Sequence, residues 1–105
     1  MKIAVLGCGA MGSIYAALLA SSGNQVLVID TNEAHIDAIN EFGLRVSGAS
    51  GDRTVQIPAH KRVPVDEVEL LVVAVKGAHV QAAISSARGV VNAQTLILTI
   101  QNGLG

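Results

Sequence analysis

A glycine-rich segment near the amino terminus has the residue types and spacing that bind a diphosphate. In a G-x-G-x-x-G pattern, the first glycine permits a tight turn and the second lets the backbone approach a pyrophosphate. The third lets a helix pack against a strand, and the unpaired N–H groups at the start of that helix favour an anion. The pattern predicts a dinucleotide site, and the alternative is a glycine-rich turn without a ligand. The six residues are Gly7, Cys8, Gly9, Ala10, Met11 and Gly12.

Asp30 lies where an acidic residue of such a site binds the adenosine ribose. It follows Gly12 by eighteen residues, close to the spacing of about 20 that is usual. Its carboxylate would repel a 2′-phosphate, by about 4 kcal/mol at about 4 Å and an effective dielectric constant of about 20, less with screening. About a third of that energy is a tenfold preference for NADH over NADPH. The alternative is that Asp30 caps the turn before Asn32.

Two further polar residues follow predicted strands. Lys76 comes directly after the apolar residues 70–75, where its ammonium group could face an anionic cofactor or substrate, or simply solvent. Asn102 could bind a carboxamide or carbonyl through its side-chain amide. Asn102-Gly103 is also a common turn dipeptide, so the residues alone leave both positions open.

Cysteine and histidine do not predict a metal site. Cys8 is the single cysteine, which excludes an internal disulfide, and we interpret it as a small residue tolerated in the loop. We expect His35 and His60 to be solvated, and His79 to lie near the presumed site without an orienting carboxylate. No pair of histidines has helical metal-ligand spacing, so no metal is expected.

The elements that must position these residues alternate between strands and helices. Apolar, β-branched runs predict strands over Lys2–Leu6, Gln25–Ile29, 70–75 and 95–100, of the kind buried on both faces. Helices are predicted between them: a first with an apolar stripe, a second over 32–42 and a third over 78–88. The apolar positions expected to face inward are Met11, Ile14, Tyr15, Leu18 and Leu19 in the first helix, Ile36 and Ile39 in the second, and Val80, Ala83, Ile84 and Ala87 in the third.

The middle of the chain departs from this alternation. Residues 44–47 and 53–57 flank Gly48-Ala49-Ser50-Gly51, which predicts a short hairpin. Pro58 and Pro64 bracket a segment predicted to be a polar linker, which contains Lys61 and Arg62. The whole pattern predicts one α/β domain over residues 1–105, with a Rossmann-type doubly wound, mostly parallel sheet, helices on both faces and a short inserted β-hairpin.

Composition limits the partners. The chain has 105 residues, of which 14% are charged, and a formal net charge of −1. It therefore has no basic stripe for nucleic acid, and its apolar runs are too short to span a membrane. The apolar run after Lys2 is also too short for a signal peptide, so we expect a cytoplasmic protein. The low charge content predicts an exposed apolar face, and a homo-oligomer is possible.

Three segments of the chain resemble the amino-terminal domain of the ketopantoate reductase family (2-dehydropantoate 2-reductase). They are KIAVLGCGAMG at 2–12, VVAVK at 72–76 and IQNGLG at 100–105, and the resemblance spans the whole chain. Family members reduce ketopantoate to pantoate with NADPH, a step towards coenzyme A. The resemblance implies that Lys76 and Asn102 lie near the nicotinamide and a 2-oxo acid substrate.

Two departures from the family qualify this interpretation. NADPH-using members commonly place an arginine after the second strand, where this chain has Asp30-Thr31-Asn32, which favours NADH. Family members also continue into a helical domain with the catalytic lysine and an acidic substrate-binding residue, which has no counterpart in the 105 residues. The catalytic residues are therefore unknown, and we expect the chain alone to be inactive. The alternatives are a non-enzymatic NAD(H)-sensing module and the first domain of another hydroxy-acid dehydrogenase.

Overall fold

A five-stranded parallel sheet forms the centre of the molecule. The computed structural model describes residues 1–7, 9–48, 51–74 and 80–100. All neighbouring strands of the sheet are parallel. Their spatial order is that of the doubly wound fold, so the predicted Rossmann-type class is confirmed. Side by side, with labels in chain order, they are β5 (Ala59–His60), β2 (Gln25–Ile29), β1 (Lys2–Leu6), β6 (Leu70–Val73) and β7 (Leu96–Thr99).

Helices cover both faces of this sheet, as predicted. The helices α1 (Ala10–Ser21) and α2 (Glu33–Phe42) lie on one face, and α3 (Val80–Ser86) lies on the other. Because successive strand residues point to opposite faces, Ile3 and Val5 of β1 join the core under α1 and α2, whereas Ala4 and Leu6 join the core under α3. This explains why the central strands have unbroken apolar sequences.

The predicted limits of α2 are confirmed. The Asn32 side chain accepts a hydrogen bond from the His35 backbone N–H at 3.1 Å, which caps the first turn. Gly43 ends the helix with a positive φ of 89°, a conformation that favours glycine. Ile36 and Ile39 are buried in the core, as expected.

The predicted apolar stripe of α1 is wrong about which residues are buried. Ile14 and Leu18 are 40% and 51% exposed, whereas Ala16 and Ala17 are almost completely buried. The helix lies so close to the sheet at Gly12 that only small side chains fit between them. Leu19 is partly buried against the same core, and Tyr15 is half-buried.

The predicted hairpin is present, with different bounds. Strands β3 (Leu44–Gly48) and β4 (Gly51–Val55) pair antiparallel, with Gly48 opposite Gly51, so these two glycines belong to the strands. Ala49 and Ser50 lie outside the described residues. Leu44 and Val55 anchor the hairpin to the core on the α1 face.

The predicted polar linker contains the strand β5, which the sequence analysis missed. This edge strand pairs with β2 on one side, where the Val28 N–H donates to the Pro58 carbonyl at 2.9 Å. On the other side, the Asn40 side chain of α2 donates to the Ala59 carbonyl and accepts from the Ala59 N–H, both at 2.9 Å. The Asn40 amide thus acts as a further strand neighbour, which explains how a strand of two residues is held in place.

His35 and His60, which were expected to be solvated, are both partly buried. His60 belongs to β5 and is half-buried. The Nε2 atom of His35 is enclosed, and it has no hydrogen-bond partner among the described residues. The helix α2, which carries His35, contacts both β5 and β3. This helix is therefore covered on two sides rather than along one apolar stripe.

The later elements are shorter than predicted. β6 ends at Val73, and β7 covers only Leu96–Thr99. α3 ends at Ser86 and is followed by a 3₁₀ turn over Arg88–Val90, which adds a completely buried valine to the core. Residues 75–79, where the predicted third helix begins, lie outside the described residues. No helix in the described part of the chain is long and apolar enough to cross a membrane.

We predict a large stability difference between the same substitution in two neighbouring strands. Leu71 in β6 is 0% exposed, whereas Leu96 in β7 is 65% exposed. Leu71→Ala should lower the free energy of unfolding by about 3 kcal/mol, because it leaves a cavity in the core. Leu96→Ala, the control, should change it by less than about 1 kcal/mol. Urea unfolding followed by circular dichroism measures both, and equal losses would contradict this assignment of the core.

Candidate functional site

A cleft opens at the carboxyl ends of the strands β1, β2 and β5, with α3 as its opposite wall. Its volume is about 730 Å³, within the range of small-molecule sites. In open parallel sheets this edge is where ligands bind. The lining is apolar on its walls and polar on its rim. It consists of Leu6, Gly7, Ile29, Asp30, Thr31, Lys61, Arg62, Val63, Ala82, Ala83 and Ser86.

Gly7 makes the tight turn that the glycine pattern predicts. Its φ is 94°, in the region where residues with a Cβ are strained. Its N–H donates to the Ile29 carbonyl at 2.8 Å, which joins the ends of β1 and β2. The turn thus brings the start of α1 to the edge of the cleft.

Gly12 and Gly9 have different structural surroundings. A Cβ on Gly12 would lie 2.1 Å from the Gly7 carbonyl oxygen and 3.3 Å from the Cβ of Ala74. A Cβ on Gly9 would meet nothing within 4 Å. Gly12 therefore permits close packing of the helix on the strand, whereas Gly9 leaves open space beside the backbone. The packing at Gly12 is the role that the sequence analysis assigned to the third glycine, whereas the close approach of a pyrophosphate to Gly9 stays a prediction.

The first turn of α1 presents backbone N–H groups without a side-chain cap. Gly9 is the N-cap residue, and its carbonyl accepts the first helical hydrogen bond, from the Ser13 N–H at 2.9 Å. The first N–H groups of a helix have no partner within it, and the helix dipole favours an anion there. No acidic side chain occupies this turn, so its field is not offset locally.

Asp30 has the turn-capping role that the sequence analysis gave as the alternative, and its binding of the ribose stays a prediction. It lines the cleft, and its carboxylate accepts a hydrogen bond from the Asn32 N–H at 3.0 Å. Its backbone N–H donates to the His60 carbonyl at 3.1 Å. The turn hydrogen bond therefore orients the carboxylate at the rim of the cleft.

Lys61 and Arg62 also reach this cleft, which the sequence analysis missed. They follow β5 directly, so the signal that could have revealed them is a strand end, hidden because the strand has two residues. The Lys61 Nζ lies 3.0 Å from a carboxylate oxygen of Asp37 and 3.9 Å from one of Glu33. The hydrogen bond and negative charge of Asp37, with a smaller effect of Glu33, raise the pKa of Lys61 above its usual value.

Several residues predicted for the site cannot be located in this geometry. Cys8, Lys76 and Asn102 lie outside the described residues, as does His79. Ala10 and Met11 form the first turn of α1. Among the residues that the structure describes, no group of three or more histidine, cysteine, aspartate or glutamate side chains could hold a metal ion.

The fold and the glycine turn define a protein of the Rossmann class. The family model described as ketopantoate reductase PanE/ApbA matches residues 3–105. The chain belongs to this family, which confirms the resemblance seen in its sequence.

Individual relatives agree with this assignment. A 2-dehydropantoate 2-reductase of Pyrococcus abyssi is 43% identical over all 105 residues. A solved 2-dehydropantoate 2-reductase from Geobacter metallireducens is 34% identical with a TM-score of 0.83, and a D-mandelate dehydrogenase with NADH and anilino(oxo)acetate is 30% identical with a TM-score of 0.88. All of this chain is covered in each comparison, but only 34% of the first protein and 35% of the other two. The chain thus spans about a third of their length.

We predict that alanine at Gly12 and at Gly9 will affect stability very differently. Gly12→Ala should lower the free energy of unfolding by about 3 kcal/mol, because the new methyl group overlaps a backbone carbonyl. Gly9→Ala should leave it within about 1 kcal/mol, because the site is open and its φ of −74° suits alanine. Thermal and urea unfolding measure both, and a stable Gly12→Ala variant would be inconsistent with the close helix–strand approach.

Proposed function

We propose that this chain binds a nicotinamide adenine dinucleotide and is the cofactor-binding domain of an oxidoreductase that reduces the carbonyl of a 2-oxo acid. The observation that carries the proposal is the cleft at the strand ends, which the Gly7 turn lines. The uncapped first turn of α1 begins three residues after Gly7. Membership in the ketopantoate reductase family supports the reaction class.

The residues of the cleft suit the parts of such a cofactor. The first-turn N–H groups of α1, beside the open space at Gly9, suit the diphosphate. The Asp30 carboxylate suits the ribose hydroxyls, and the apolar walls, which include Ile29, Val63 and Ala83, suit the adenine ring. When bound, the nicotinamide supplies a hydride.

The catalytic groups are proposed to lie outside the described cleft. Following the resemblance, Lys76 and Asn102 would lie near the nicotinamide and the substrate, and a general acid would come from a further, helical domain. The relatives, about three times as long as this chain, are consistent with this division. On this proposal, the 105 residues bind the cofactor but do not reduce a substrate alone.

Two substrates remain candidates for the whole enzyme. The 2-dehydropantoate 2-reductases support 2-dehydropantoate, which would make the enzyme part of pantothenate and coenzyme A synthesis. The likeness to D-mandelate dehydrogenase with NADH and anilino(oxo)acetate favours another 2-oxo acid as the second candidate. For either reaction we expect the cytoplasm as the compartment.

NADH is proposed as the preferred cofactor. Asp30 holds a negative charge at the rim of the cleft, where a 2′-phosphate would add further negative charge. Repulsion between the two lowers the affinity for NADPH, although solvent and salt reduce the effect.

Nucleotide titration of the purified chain tests the binding proposal. NADH should bind, and ADP-ribose should displace it, because the cleft receives the adenosine and diphosphate part. Nicotinamide mononucleotide should compete poorly. Gly9→Ala should weaken NADH binding by about tenfold while the chain stays folded, because the methyl group fills the space left for the diphosphate. Wild-type protein that binds neither NADH nor ADP-ribose would refute the proposal.

Replacing Asp30 with asparagine tests the cofactor preference. Asp30→Asn keeps an oxygen that can accept from the Asn32 N–H but removes the charge. It should weaken NADH binding by about fivefold, as expected when a charged hydrogen bond becomes a neutral one, and narrow the advantage of NADH over NADPH. Dissociation constants from nicotinamide fluorescence measure both. An unchanged ratio would mean that Asp30 does not select the cofactor.

A further inference from the structure

Arg62 is held at the rim of the cleft by the backbone contacts of β5. In the register of the parallel pair, His60 lies opposite Ile29, and the Asp30 N–H donates to the His60 carbonyl. The chain segments that follow the two strands therefore leave the sheet side by side. The Asn40 amide holds β5 from its other side, two residues before the segment that carries Arg62.

The two cations that follow β5 differ in their partners. Lys61 forms ion pairs with Asp37 and Glu33 of α2, so its ammonium group already has carboxylate partners. Arg62 is exposed and lines the cleft. Its side chain makes no ion pair or hydrogen bond with any other residue in the described part of the chain. Arg62 therefore has its donors available for a ligand.

A guanidinium group at the position of Arg62 suits a phosphate group on the adenosine ribose of the cofactor. Arginine binds phosphate through two parallel N–H donors, and a nearby arginine accommodates the 2′-phosphate in dinucleotide folds that use NADP. The acidic residue that disfavours that phosphate, Asp30, lines the same cleft.

We propose that Arg62 binds the 2′-phosphate of NADPH and so determines how well this site accepts NADPH against the repulsion of Asp30. This inference rests on the proposed function, because it assumes that the adenosine of the cofactor occupies the cleft. The proposal assigns a specificity-determining role to a residue that follows β5. The NADH preference, by contrast, was inferred from Asp30, which follows β2.

Binding of two adenosine nucleotides to the isolated chain tests the proposal without any catalytic activity. The probes are 5′-AMP and 2′,5′-ADP, which differ only in the 2′-phosphate, and NADH and NADPH form a second pair. Arg62→Ala should weaken the binding of 2′,5′-ADP and of NADPH by about fivefold, which is the effect expected from one exposed ion pair. It should leave 5′-AMP and NADH within about twofold. The selective loss should shrink at high salt.

Three matched variants sharpen the test. Arg62→Lys should retain part of the affinity for the 2′-phosphate, because the charge remains but the paired donors do not. Arg88→Ala removes an exposed arginine that does not line the cleft. It should leave the ratio of NADPH to NADH affinity unchanged. Asp30→Asn should move the NADPH to NADH ratio in the direction opposite to Arg62→Ala.

The outcomes separate this inference from the proposed function. If Arg62→Ala binds all four nucleotides with wild-type ratios, the role of Arg62 is refuted and the dinucleotide site stands. If Arg88→Ala reduces NADPH binding as much as Arg62→Ala, the effect is one of net charge and the inference also fails. Wild-type protein that binds none of the four overturns both.

Discussion

The close approach of α1 to the end of β1 is the constraint on which the site depends. At Gly12 the helix lies so near the Gly7 carbonyl that no side chain fits between them. The connection between the two elements is correspondingly short: β1 ends at Leu6 and α1 begins at Ala10. The first-turn N–H groups therefore open at the edge where β2 also ends. Buried alanines rather than leucines on α1 are a consequence of the same approach.

The part of the rim that carries Lys61 and Arg62 depends on the edge strand β5. Two residues pair too little with β2 to be held firmly by that strand alone, and the Asn40 amide supplies the missing hydrogen bonds on the outer side. This arrangement brings a pair of basic residues next to Asp30. Their charges are not equivalent, because Asp37 and Glu33 partner Lys61. The electrostatic character of the rim is thus determined by side chains from α2 as well as by its own residues.

The fold class and the turn at Gly7 were predictable because they depend on local patterns. The buried strands have unbroken apolar sequences, α2 has its cap at Asn32 and its glycine end at Gly43, and the glycine spacing identifies the turn. Spacing also singled out Asp30, which lines the cleft. The strand β5 was not predictable, because two residues are too few to show an apolar pattern typical of a strand. The face of α1 was misjudged because apolar periodicity marks large side chains, whereas a close helix–strand contact selects small ones.

The sequence by itself determined the class of fold, the order of its longer elements and the glycine turn that precedes the uncapped start of α1. These follow from hydrophobic pattern and glycine spacing, which act over a few neighbouring residues. Only the tertiary structure decided that the segment after Pro58 joins the sheet, that Lys61 and Arg62 line the cleft, and that the Nε2 atom of His35 is enclosed. Each of these depends on contacts between residues distant along the chain, such as Asn40 with Ala59, and such contacts exist only once the sheet and helices have assembled.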